Sequence, residues 1–157
     1  MPPQVLVDPT QLDFDHPVAG PEQVQRLNRQ RYEFQLLDAV VLCDRERVLM
    51  AGYHDVRPDA WWVRGHIPGR PLFPGVLMIE CAAQLSSFLY HQFYGPEHFL
   101  GFVGVDGVKF RGTVEPPARF VVVARGREVK RKRMICETQG FVEGRFVYEG
   151  VITGMIV

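Results

Sequence analysis

One run of fifteen residues, VLMIECAAQLSSFLY at 76–90, limits what this 157-residue chain can become. It contains neither glycine nor proline, and small or apolar side chains fall on almost every face. As an α-helix it would be roughly 22 Å long. A helix apolar all round has to be buried, yet a bilayer needs about 20 such residues. The rest of the chain must therefore wrap it. The flanking segments are suited to that. FQLLDAVVL (34–42) and VLMAGYHDV (48–56), joined by CDRER, read as a hairpin. FLGFVGVDGVKF (99–110), RFVVVARGREV (119–129), MICETQGFVEG (134–144) and RFVYEGVITGMIV (145–157) alternate or run apolar with glycine punctuation. The sum is an α+β layout of five or six mostly antiparallel strands around one long central helix.

The connections also have a reading. Between 57 and 75 stand Pro58, Pro68, Pro71 and Pro74 with Gly65, Gly69 and Gly75, a density that forbids regular structure and stiffens the loop. PEQVQRLN (21–28) suits a short helix with Pro21 in its first turn. Residues 1–20 carry Pro2, Pro3, Pro9, Pro17 and Gly20 and read as an N-terminal arm or extension. Residues 21–157 then form a single domain.

Several function classes are disfavoured. The start MPPQVLVDPTQ lacks the basic and apolar regions of a secretory signal, so a cytoplasmic protein with no membrane role is expected. Cys43, Cys81 and Cys136 form no CxxC pair, and the five histidines form no HExxH, so no metal site or cofactor is expected. Net charge is zero, which argues against nucleic acid as a partner. The charge is uneven, however. Residues 1–60 hold ten acids and six bases, residues 61–157 eight acids and twelve bases. The basic excess concentrates in RGREVKRKR (125–133), either a solvated strand end and turn or a docking surface for an acidic partner.

Three features could do chemistry. Glu80 lies in the apolar helix, where an uncompensated carboxylate is costly or takes up a proton. Gln84, one turn later, could satisfy it structurally. Alternatively, burial would raise its pKa and make it a general acid. His66 stands in the rigid Gly/Pro loop just before the helix, where it is either structural or a base. At the helix start, the Gly75 and Val76 amides are free at the positive end of the dipole, and Gly75 lets an oxygen approach closely. Cys81 is either inert packing or a nucleophile. A base, a donor to an enolate oxygen and an acid suit proton removal α to a carbonyl. No GxSxG, GxxxxGK or GxGxxG pattern points elsewhere.

GHIPGRPLFPGVLMIECAAQ (65–84) closely resembles the signature GHFPGxPxxPGVLxxEAxAQ of the β-hydroxyacyl-acyl carrier protein dehydratases of fatty-acid synthesis. The similarity covers about residues 30–157, including RYEFQLLDAVV and the strands from VKFRG onward. It implies a hotdog fold, a curved antiparallel sheet wrapped round one helix. It also implies a homodimer with shared active sites, sometimes a trimer of dimers. The catalytic pair would be His66 of one subunit and Glu80 of the other, with Gly75 and Val76 at the carbonyl and Gln84 in support. The implied substrate is a (3R)-hydroxyacyl chain on an acyl carrier protein, which loses water to give the trans-2-enoyl thioester without cofactor. The chain would lie in an apolar tunnel to which Ile67, Phe73 and Phe88 belong. Residues 125–133 with Lys109 and Arg111 are candidate contacts for the acidic carrier. Departures are Ile67 for Phe, Cys81 for Ala, Ala39 for Arg, and EPP at 115–117; the first two bear on chain length. A related family that also isomerises its product has Asp and Cys where this chain has Glu80 and Val76, so dehydration alone is expected. The alternatives are a thioesterase on the same fold, a dehydratase of a specialised acyl or polyketide pathway, and a carrier-binding protein without turnover.

Overall fold

A computed structural model describes residues 3–157; the first two residues of the expected arm lie outside the described residues. The chain runs α1 (Pro21–Leu27), β1 (Ala39–Asp44), β2 (Leu49–Val56), α2 (Gly75–Tyr94), β3 (Leu100–Phe110), β4 (Ala118–Val129), β5 (Arg133–Val142) and β6 (Arg145–Ile156). All six strands form one antiparallel sheet in the order β1-β2-β4-β5-β6-β3. This is the hotdog arrangement, with α2 packed against β2, β4, β5 and β6.

Turn chemistry sets the hairpins. Glu143 (φ 50°) and Gly144 (φ 75°) join β5 to β6, and two successive positive φ values are what a type I′ hairpin turn requires. Between β1 and β2, the Asp44 carboxylate accepts from the Arg47 amide at 3.0 Å. α2 ends where Gly95 takes φ 72° and its N–H donates to His91 O at 2.9 Å.

Strand alternation gives the sheet two apolar faces. Phe120, Val122 and Ala124 of β4 point into the main core with Leu85 and Leu89 of α2. Val121 and Val123 point the other way, into a second cluster with Val41, Leu49, Ala51 and Phe141. The N-terminal arm covers that outer cluster with Leu6, Val7, Leu12 and Phe14. It is tied down by Gln139, which accepts from the Leu6 amide and donates to Gln4 O, both at 2.8 Å. The Arg119 guanidinium lies 5.5 Å from the Phe14 ring and 3.8 Å from that of Tyr53. At the arm's end Ala19 bridges to Val40 and enters the main core.

Two details differ from the sequence reading. β1 begins at Ala39 rather than 34, and Tyr32–Phe34 forms a 3₁₀ turn. The amides of Leu36 and Leu37 bond to the Gln84 side chain instead of a neighbouring strand. The helix is also not covered all round. Val76, Glu80, Ala83 and Ser87, spaced by one turn each, form a stripe less buried than the rest.

Candidate active site

The site elements gather at α2. Gly75 opens the helix after Pro74, whose carbonyl accepts from the Leu77 amide at 2.9 Å and the Met78 amide at 3.3 Å. The Gly75 and Val76 amides have no partner among the described residues, and Val76 is exposed. Gly75 sits at a close approach. A Cβ there would lie 2.7 Å from Phe110 Cζ and 2.8 Å from Cε1.

His66 is held by its loop. Its amide donates to Trp62 O at 2.8 Å, and its Nδ1 lies 3.0 Å from Leu72 O. A carbonyl can only accept, so Nδ1 carries the proton and the exposed ring offers Nε2 as a base. Two adjoining, mainly apolar hollows of about 360 and 330 Å³ meet at His66 and Val76. Trp61, Trp62 and Leu77 wall the first; Phe73, Gly75 and Phe110 wall the second.

Glu80 sits in the second turn of the helix. Gln84 Nε2 donates to Glu80 Oε1 at 2.8 Å, and Oε2 has no partner among the described residues. Burial raises the Glu80 pKa, partly offset by the bond from Gln84. Gln84 itself is fully engaged. Besides Glu80 it donates to Phe34 O at 2.8 Å and accepts from Leu36 N and Leu37 N, each at 3.0 Å. It therefore serves both as the structural partner and as the clamp that orients the carboxyl. Glu80 opens on a cavity of about 80 Å³ lined also by Gln30, Ser87 and Phe102.

His66, Gly75 and Val76 are thus brought together, and Glu80 joins Gln84. Within one chain, His66 and Glu80 face different cavities. Phe73 walls a His66 hollow, Ile67 is exposed and lines neither hollow, and Phe88 is packed in the core. Burial pushes the Cys81 thiol well above its ordinary pKa, so Cys81 carries no thiolate near neutral pH and packs as an apolar side chain. Among the described residues no cluster of metal-ligating side chains occurs. Sequence reasoning missed Gln30, because a glutamine three residues past a short helix has no periodicity or motif to mark it.

Much of the basic run is neutralised at home. Strand register sets Arg125 opposite Glu137, which accepts from Arg125 Nε at 3.0 Å and Arg127 Nε at 2.7 Å. Glu128 binds Lys130 at 2.8 Å and Arg133 at 2.7 Å, and Arg111 pairs with Glu149 at 3.0 Å. Lys109, Arg131 and Lys132 have no ion-pair partner among the described residues.

Comparison with known proteins bears on the family and the fold. Residues 28–151 match the FabA-like domain. The chain is 31% identical over 140 residues to the 3-hydroxyacyl-[acyl-carrier-protein] dehydratase FabZ of Campylobacter jejuni, covering 86% of this chain and 95% of that one. Among solved structures, the dehydratase heterocomplex ApeI:P of Xenorhabdus doucetiae superposes with a TM-score of 0.70 at 14% identity, over 85% of this chain and 90% of that one. A mutant thioesterase of Pseudomonas aeruginosa gives 0.65 at 16% identity, over 89% and 95%. These two likenesses concern the fold alone. The match across most of its length, together with the identity to FabZ, makes this chain a member of the FabA-like domain family.

Proposed function

We propose that the protein is a (3R)-hydroxyacyl-[acyl carrier protein] dehydratase of fatty-acid biosynthesis, a lyase that forms trans-2-enoyl thioesters. The observation that carries this reading is the head of α2, where two unpartnered amides adjoin an imidazole with a free Nε2. The Gly75 and Val76 amides bind the thioester carbonyl and stabilise the enolate as charge develops. His66 Nε2 takes the α-proton. Glu80, whose acid form burial favours and whose carboxyl Gln84 orients, gives its proton to the β-hydroxyl. The C3–O bond breaks, water departs and the C2=C3 bond forms. His66 is left as imidazolium and Glu80 as carboxylate, and proton return through water resets both. Acid and base suffice for every step, and no cofactor takes part.

His66 and Glu80 of one chain face different cavities, so this reading takes one from each of two subunits. The less covered α2 stripe and the unpaired outer edge of β3, with Phe102, Val103 and Phe110 about half exposed, offer a second copy its surface. Phe73 and Ile67 are the proposed acyl-chain contacts, with Phe88 set back in the core. Lys109, next to Phe110 at a hollow's rim and without an ion-pair partner among the described residues, is the candidate contact for an acidic carrier.

The test is to incubate the protein with 3-hydroxyacyl carrier proteins of graded chain length and weigh the products. Enoyl thioester is expected; free acid would mark a thioesterase instead. His66→Ala and Glu80→Gln should each lower turnover on the order of 10²- to 10⁴-fold while folded. Near-normal turnover in either variant removes that residue's role.

A further inference from the structure

The cavity beside Glu80 has a second polar wall. Gln30 lines it, and the Gln30 amide oxygen is buried with no hydrogen-bond partner among the described residues. Leaving such an acceptor unpaired is costly, and folded chains seldom do so without a use for it. The backbone beneath is not loose. The Arg31 guanidinium donates to the carbonyls of Gln30 and Asn28 at 2.8 Å each and to that of Gln25 at 2.9 Å. Across the cavity, Glu80 has spent Oε1 on Gln84 and keeps Oε2. The cavity therefore offers an acid oxygen and a spare amide acceptor, in a space of about 80 Å³ that suits a hydroxyl or a few waters.

We propose that Gln30 is a positioning residue that holds the departing hydroxyl of the substrate against Glu80. This rests on the dehydratase reading above. The β-hydroxyl hydrogen is donated to Gln30, which turns an oxygen lone pair toward the acidic proton of Glu80. When the C3–O bond breaks, that lone pair takes the Glu80 proton. The new water has two hydrogens and two acceptors, the Glu80 carboxylate and the Gln30 amide oxygen. No electron or proton is left unaccounted for. Gln30 also gives the hydroxyl an orientation, which selects one configuration at C3.

The test compares Gln30→Met and Gln30→Leu with the parent chain, measuring kcat and KM on a 3-hydroxyacyl carrier protein and Tm on the same samples. Both variants remove the amide and keep comparable bulk. The expected result is a fall in kcat of about 10- to 100-fold, as for a misplaced reacting group, with KM little changed and Tm equal to or above the parent. Parent-like turnover overturns the proposal. So does a loss of turnover matched by a lower Tm in both variants, which is what a purely structural role produces. If the parent itself makes no enoyl thioester, the dehydratase reading fails and this one with it. If Glu80→Gln is inactive while Gln30→Met is parent-like, the Gln30 assignment falls alone.

Discussion

At the residue scale, Glu80 and Gln84 act as one unit. Each of the four hydrogen-bonding positions of the Gln84 amide is used, and only one of them serves Glu80. The other three tie residues 34–37 to α2, so the clamp on the carboxyl is as rigid as that segment. Because burial raises the folded-state pKa of Glu80, its protonated form favours the fold. That contribution is complete below the unfolded pKa of about 4.3 and is lost as pH rises through the folded value. Glu80→Gln never ionises, and its amide oxygen can still accept from Gln84. The variant should therefore melt above the parent at pH 8, with the gap closing as pH falls toward the unfolded pKa. Melting curves of the two proteins across that range check this; a gap independent of pH would mean that Glu80 ionises freely in the fold.

At the element scale, α2 combines a buried body with a chemically open head. Its core residues recur at helical spacing, and Pro74 ahead of Gly75 offers no side-chain cap. The first amides are consequently left without a partner among the described residues. The missing Cβ at Gly75 makes room for the Phe110 ring, which lies in the volume a side chain would need. Phe110 is half exposed, and the atoms a Cβ would meet are the far end of its ring. Gly75→Ala should accordingly leave Tm nearly unchanged, since alanine also suits a helix better than glycine. It should still lower turnover by about 10- to 100-fold through a displaced hollow wall and a methyl beside the amides. Paired Tm and rate measurements decide. A large Tm loss would show Phe110 to be fixed, and full activity would remove the amides from the reaction.

At the scale of the whole molecule, the sheet has a covered outer face and, at β3, an open edge. The arm occupies the first through Leu6, Val7, Leu12 and Phe14. β3 supplies the second, carrying Phe102, Val103 and Phe110 beside bulges after Phe102 and Asp106. An unpaired edge with exposed apolar side chains invites another chain. Val103→Lys puts a charge there without touching the core. In the proposed dimer it should yield a folded monomer with turnover reduced at least about 100-fold, because one chain's His66 and Glu80 face apart. Light scattering and the enoyl assay on the same sample test this, and a fully active monomer would rule out a shared site.

How far the chain could be read in advance differs from segment to segment. Local patterning was enough for the central helix, the four C-terminal strands and the stiff loop, because apolar periodicity and the Gly/Pro punctuation are properties of neighbouring residues. The anomaly of Glu80 and the proximity of His66 to Gly75 were legible for the same reason: a carboxyl in an apolar run and a histidine nine residues before the helix start stand out in one dimension. Contacts between distant residues were not legible. The late start of β1 depends on Gln84 capturing the Leu36 and Leu37 amides from 48 and 47 positions away. The basic run read as either a solvated strand end or a docking surface, and only sheet register set Glu137 opposite Arg125, within ion-pair reach of Arg127 as well. The seat of the arm on the outer face and the unpaired oxygen of Gln30 also waited on packing. Periodicity and backbone preference act between near neighbours, so sequence alone determined the elements and the chemical groups they carry. Register, burial and hydrogen-bond partnership join residues far apart in the chain, and only the folded molecule decided those.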